Sequence, residues 1–140
     1  MNAQPIRSQV EVILCFRFSK LGLDRIGQPY AEDMALTIKP DQNEIVIDKH
    51  TASILIDTGF ERMIRNAGIV TIVFTGIATE FGVESSARET LTRGFYSVVV
   101  SDIASSPDRE AHGRSLENME KMMTVINSKE KRIFGQRAHN

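Results

Sequence analysis

A three-layer α/β/α, Rossmann-like open parallel sheet is the α/β fold class that the sequence predicts, and three observations point to it. Short β-rich runs alternate with longer amphipathic patterns from Glu44 to the end of the chain. The runs are continuously apolar, as in strands covered on both faces. The segments between them carry helix start and stop signals. Strand–helix–strand units repeated in this way imply right-handed crossovers, with helices on both sides of the sheet.

The elements follow in order. Val10–Phe18 reads as a strand. Leu21–Gln42 contains Gly22, Gly27, Pro29 and Pro40 without a sustained period, and reads as a long loop of the kind that frames an active site or an oligomer contact. Glu44–Ile47 is a short β-branched strand. Thr58 and Glu61 have the spacing of a capping box, in which each side chain satisfies a backbone N–H of the first turn. Phe60, Met63, Ile64 and Ala67 then share one helical face, and Gly68 suits the left-handed residue that stops the helix.

Ile69–Phe74 is the strongest strand signal. The next helix takes Thr79 as its N-cap and ends before Gly94. Tyr96–Val100 is a further strand. The third helix starts at Ser106-Pro107, an N-cap ahead of a proline in the first helical position. His112, Leu116, Met119 and Met123 form its inward stripe. Thr124–Ile126 is a weak strand, and a short last helix opens at Ser128.

Composition narrows the function classes. The 140 residues, 41% hydrophobic and 25% charged, suit one globular domain over 1–140. A formal net charge of -1 gives no long-range attraction for nucleic acid or anionic lipid. No apolar run approaches the length of about 18 residues that suggests a membrane span. The N-terminus lacks a small-residue cleavage pattern, and the lone Cys15 makes no internal disulfide. The expected setting is the cytoplasm, with no nucleic-acid or membrane partner. The absence of a G-x-G-x-x-G motif or a P-loop argues against generic nucleotide binding.

The chemistry concentrates in Thr75–Phe95, which follows a strand and opens a helix. Ligands of open α/β sheets bind at the carboxyl ends of strands. A helix N-terminus adds free N–H groups and a positive dipole end, suited to a bound anion or a developing oxyanion. Lys49, followed by His-Thr-Ala-Ser53 and Thr58, then the TGIATEF-G-VESSAR turn and helix, then Ser101-Asp102 and His112, are ordered and spaced in a way that resembles the isochorismatase-like hydrolase superfamily. That superfamily includes isochorismatases, nicotinamidases and N-carbamoyl amide hydrolases. The resemblance runs from Glu44 to Ile126.

The resemblance implies a hydrolase for a small carboxylated or amide-containing metabolite. In its amidases an Asp, a Lys and a Cys cooperate: the thiol attacks a carbonyl, the Asp takes its proton, and backbone N–H groups hold the oxyanion. Lys49 matches the Lys, but Gly82 stands at the Cys position. Glycine favours acid-catalysed or non-covalent chemistry, as in isochorismatases, where an Asp protonates a vinyl ether. Ile77, Ala78 and Gly82 would form the substrate and oxyanion site, and the Ile77–Ala78 bond corresponds to one that is cis in relatives. No segment before Val10 resembles the family's first strand with its terminal Asp, so the chain reads as shortened by about 30 residues or more. Asp24, Asp33 and Asp48 remain candidate carboxylates.

Blander roles stand beside these. Lys49 either holds a substrate carboxylate, tunes an acid through its charge, or is a surface lysine at a strand end. His112, on an apolar stripe, reads as structural rather than as a base. Ser85, Ser86 and Arg88 either touch an anion or mark close helix–sheet packing. Zinc is not expected, because His50 has no second ligand at metal spacing, and no cofactor is implied. Met119, Met122 and Met123 read as core or oligomer contact, and a homo-oligomer is expected. The alternative function is a non-catalytic or truncated family member acting as an oligomeric binding or structural protein.

Overall fold

Val73 and Phe74 lie opposite Val98 and Val99 in a parallel ladder, and from this pairing the main sheet is built. The computed structural model describes residues 16–18, 42 and 44–130. Their order is β1 (Phe16–Phe18), β2 (Ile47–Lys49), α1 (Phe60–Asn66), β3 (Thr71–Ile77), a π-helical turn (Thr79–Val83), α2 (Glu84–Thr92), β4 (Tyr96–Ser105), α3 (Arg109–Glu120) and β5 (Thr124–Ile126). Strands β3, β4 and β5 form one parallel sheet in that order, and β1 pairs in parallel with β2 in a second sheet. The α/β, Rossmann-like class read from the sequence is the one found.

The main core sits on one face of the three-stranded sheet. Ile72 and Phe74 of β3 and Val99 of β4 pack with Phe60 and Ile64 of α1, Ala87 of α2 and Met119 of α3. The opposite face carries the smaller cluster Val98, Val100 and Ile126. Among the described residues all three helices contribute to the first face, and a second helical layer is not among them. Val73, pointing the other way from its neighbours Ile72 and Phe74, is 45% exposed.

Two helices end alike, and each ending launches a strand. Gly68, at φ +70°, donates to the Arg65 carbonyl at 3.0 Å while Ile69 donates to that of Ile64 at 2.9 Å. Gly94, at φ +90°, repeats the pattern with Leu91, and Phe95 with Thr90. Both are left-handed terminations that a Cβ would strain.

Several boundaries differ from the sequence reading for local reasons. The second strand is Ile47–Lys49 rather than Glu44–Ile47, with Ile45 and Val46 exposed. The Ile69–Phe74 strand begins at Thr71 and continues to Ile77. Strand β4 runs past Val100 to Ser105, because its register with β3 shifts between Phe74 and Gly76 and resumes at Ala104 and Ser105. The capping box does not close. Gly59 is the N-cap of α1, Thr58 Oγ1 accepts from the Phe60 N–H at 3.3 Å, and Glu61 turns instead to Arg65 and Arg93. Thr79 is not an N-cap but the first residue of the π-turn. The third helix is capped two residues after Ser106, where Asp108 Oδ1 accepts from the Ala111 N–H at 3.0 Å. Thr124–Ile126 is a strand as read, and Ser128 lies in a turn. Val10–Cys15, nearly all of Leu21–Gln42 and the continuation of a last helix lie outside the described residues.

Past β5, Asp102 of β4 accepts from both the Ser128 N–H at 2.7 Å and the Ser128 hydroxyl. These bonds, the side-chain one foremost, hold its carboxyl below the usual aspartate value of 3.8. A carboxylate whose folded pKa is lowered stabilises the fold above its unfolded pKa, and that contribution disappears as pH falls through the folded value. The stability difference between the parent and Asp102→Asn, measured by urea denaturation, is therefore expected to be full at neutral pH and to close in acid below about pH 4.

Candidate active site

Strand β2 ends on Lys49, and the loop after it folds back under the side chain. Lys49 is only 2% exposed, and its Nζ donates to the Ala52 carbonyl. Burial pushes the ammonium below the ordinary lysine value of 10.5. A buried ammonium needs compensating acceptors, and a main-chain carbonyl dipole three residues on supplies one of them.

That loop is bolted to α2. Ser86 is fully buried, and its Oγ accepts from the Ile54 N–H at 3.1 Å. Thr51 Oγ1 donates to the Ser53 carbonyl at 2.8 Å, and Ser53 Oγ accepts from the Leu55 N–H at 3.2 Å. Of the two readings of Ser86, close packing is what the geometry displays. Arg88 pairs with Glu84 at 2.7 Å on the exposed side of the helix.

The turn after β3 brings the second half of the site. The Ile77–Ala78 peptide bond is cis. The Ala78 carbonyl accepts from both the Phe81 N–H at 3.1 Å and the Val83 N–H at 3.3 Å, so the turn is wound wider than an α-helix. A Cβ placed on Gly82 would lie 3.1 Å from Lys49 Nζ and 3.8 Å from the Ala52 carbonyl oxygen. Glycine is thus the residue that lets the main chain of the turn approach the ammonium. Any side chain here would push Nζ aside, which a flexible lysine accommodates by a small shift.

Lys49 and Gly82 are therefore brought together from elements well apart in sequence, and Ala78 opens the same turn as Gly82. Ile77 is next to them along the chain but 69% exposed. His112 Nδ1 is 2.7 Å from Thr79 Oγ1, a part-buried contact between α3 and the turn. His50 is exposed. Cys15, Asp24 and Asp33 lie outside the described residues, and Asp48 stands in β2 beside Lys49 in sequence. Among the described residues no group of three histidine, cysteine or acidic side chains gathers as a metal site. Two open clefts flank Arg65 beside α1, and Lys49 and Gly82 line neither. Met119 is wholly buried and belongs to the core.

Sequence reasoning took Thr79 only as an N-cap and gave Ser115 and Glu80 no role. Thr79 is a buried residue of the turn itself, the buried Ser115 hydroxyl donates to its carbonyl oxygen at 3.4 Å, and Glu80 Oε1 accepts from the Ser106 hydroxyl at 2.8 Å. A polar residue among apolar neighbours is the signal for the first two, and Glu80 carries none.

An ammonium set against a glycine turn at the end of a parallel strand can neutralise a carboxylate or a developing oxyanion. Comparison with known proteins places the chain in a family. The family model described as the isochorismatase domain matches residues 22–131. A ureidoacrylate amidohydrolase of Methylobacterium radiotolerans is 36% identical over 92 residues, covering 65% of this chain and 35% of that protein. An isochorismatase family protein of Escherichia coli O157:H7 is 34% identical over 88 residues, covering 63% and 47%. The chain thus spans between about a third and a half of the length of these curated relatives. Among solved structures, the zinc complex of the Pyrococcus horikoshii pyrazinamidase superposes with a TM-score of 0.72 at 19% identity, covering 83% of this chain and 75% of that one. The family match takes in most of the chain, including β2, the π-turn and all three helices. The chain belongs to the isochorismatase domain family.

Proposed function

We propose that this chain acts as a hydrolase on a small carboxylated or amide-containing metabolite without a cysteine nucleophile. The carrying observation is the approach of Lys49 Nζ to Gly82. Lys49 orients a substrate carboxylate or offsets charge that develops on its carbonyl oxygen. The backbone N–H groups of Ala78 and Gly82 donate to the same oxygen, and Ile77 borders the substrate. Glycine at position 82 leaves water attack or protonation by an acid as the bond-breaking route. The ureidoacrylate amidohydrolase relative supports a ureido or amide carboxylate as substrate class.

The rest of the proposal concerns assembly and setting. Residues 1–140 form one domain, and a strand beyond those described belongs beside β3, the edge of the three-stranded sheet. The lone cysteine and near-neutral charge support a cytoplasmic setting. Among the described residues no helix is long and apolar enough to cross a membrane.

A second reading is a non-catalytic member that serves as an oligomeric binding or structural protein. It is favoured by the side-chain-free position 82 and by the exposed Val70 just before β3 and Val73 and Ile77 within it. Self-association is expected on both readings. Sedimentation velocity should report a dimer or larger species, and a monomer at micromolar concentration would contradict that part.

Turnover separates the two. Incubation with 3-ureidoacrylate and related ureido and amide carboxylates should release ammonia at a rate unaffected by iodoacetamide, and Lys49→Met should lower it by about 10²-fold. The ammonium is the working form and its pKa is lowered, so the rate should fall on the alkaline side with a midpoint below pH 10.5. Turnover that iodoacetamide abolishes, or that Lys49→Met leaves intact, would overturn the hydrolytic reading.

A further inference from the structure

The turn that carries Gly82 is held from its far side by α3 and the residues just before it. His112 Nδ1 lies 2.7 Å from Thr79 Oγ1, and Thr79 is fully buried. The Ser115 hydroxyl faces both the Glu84 carboxylate and, at 3.4 Å, the Thr79 carbonyl oxygen. Ser106, ahead of α3, donates to Glu80 at 2.8 Å. Three structural units, the π-turn, the start of α2 and, beyond β4, α3, are thereby tied through polar side chains.

We propose that His112 is a positioning residue of the anion site, holding the π-turn through Thr79 at the height where Gly82 meets Lys49. This rests on the reading of Lys49 and Gly82 as that site. A five-residue π-turn has few internal bonds, and its Ala78 carbonyl is already shared between two donors. Its location is set by what grips it. The α3 side grips Thr79, and on the other side Ser86 fixes the loop whose Ala52 carbonyl receives Lys49. Loosening the first grip lets Gly82 drift from the ammonium while the second stays intact. Sub-ångström placement of donors is what an oxyanion or anion site depends on.

A thiol introduced at position 82 reports that distance. In a Cys15→Ser background, Gly82→Cys is titrated by its rate of alkylation with iodoacetamide against pH. The ammonium should hold the thiol pKa below the ordinary value of about 8.5. Adding His112→Ala should return it upward by about one unit, a roughly tenfold loss of thiolate at pH values below the pKa. His112→Asn, whose amide reaches the position of Nδ1, should restore most of the lowering. His112→Gln keeps the bulk but not that polar atom, and should behave like alanine if alanine fails to fold. A lowered thiol pKa that His112→Ala and His112→Gln leave unchanged, with only the melting temperature reduced, would overturn the positioning role alone. An ordinary thiol pKa in Gly82→Cys itself would overturn both this role and the anion site on which it rests.

Discussion

A buried ammonium held against the main chain is the constraint around which the site is arranged. Lys49 emerges from the last residue of β2 into a space closed by the loop after it, and a fixed carbonyl dipole takes one of its hydrogens. In such surroundings its charge interacts with nearby dipoles far more strongly than in water. The turn after β3 comes this near with no side chain at residue 82, and a Cβ there would press on Nζ at 3.1 Å. Charge, burial and glycine are three views of the same contact.

The fold supplies that contact by making both of its walls rigid. The left-handed glycines at the ends of α1 and α2 deliver the chain sharply into β3 and β4, so the parallel strands start in register. Past Phe74 the ladder shifts, Gly76 adopts φ +110°, and β3 continues to the edge of the π-turn. Ser86 meanwhile couples α2 to the loop under Lys49. The same helix therefore braces the lysine loop with its buried serine and follows directly from the glycine turn at its N-terminus.

Much of this was legible in the sequence, and the limits are physical. Continuous apolar runs announced the parallel strands, and Gly68 and Gly94 announced the stops, because periodicity and left-handed geometry are local properties. Lys49 and Gly82 were found through the order and spacing of a family pattern, not through composition. His112 was read as structural from its apolar helical stripe, and its contact with Thr79 is a tertiary one that the stripe does not contain. The capping box at Thr58 failed because Glu61 has two arginine partners, one of them Arg93 just past α2, which no local rule contains. Asp108 caps α3 in place of Ser106, two residues earlier, whose hydroxyl is engaged by Glu80 across the fold. The extension of β4 follows from a register shift, which depends on a partner strand far away in sequence. The π-turn has no periodic signature at all.

The central claim is that the Lys49 ammonium and the Gly82 backbone share one site. NMR of the folded protein addresses it directly, by following the Lys49 side-chain amine and the Gly82 amide through an alkaline titration. A common midpoint below 10.5, with a nuclear Overhauser contact between the Lys49 ε-protons and the Gly82 α-protons, is the expected result. A Lys49 that titrates at the ordinary lysine value while the Gly82 amide stays unmoved would contradict it.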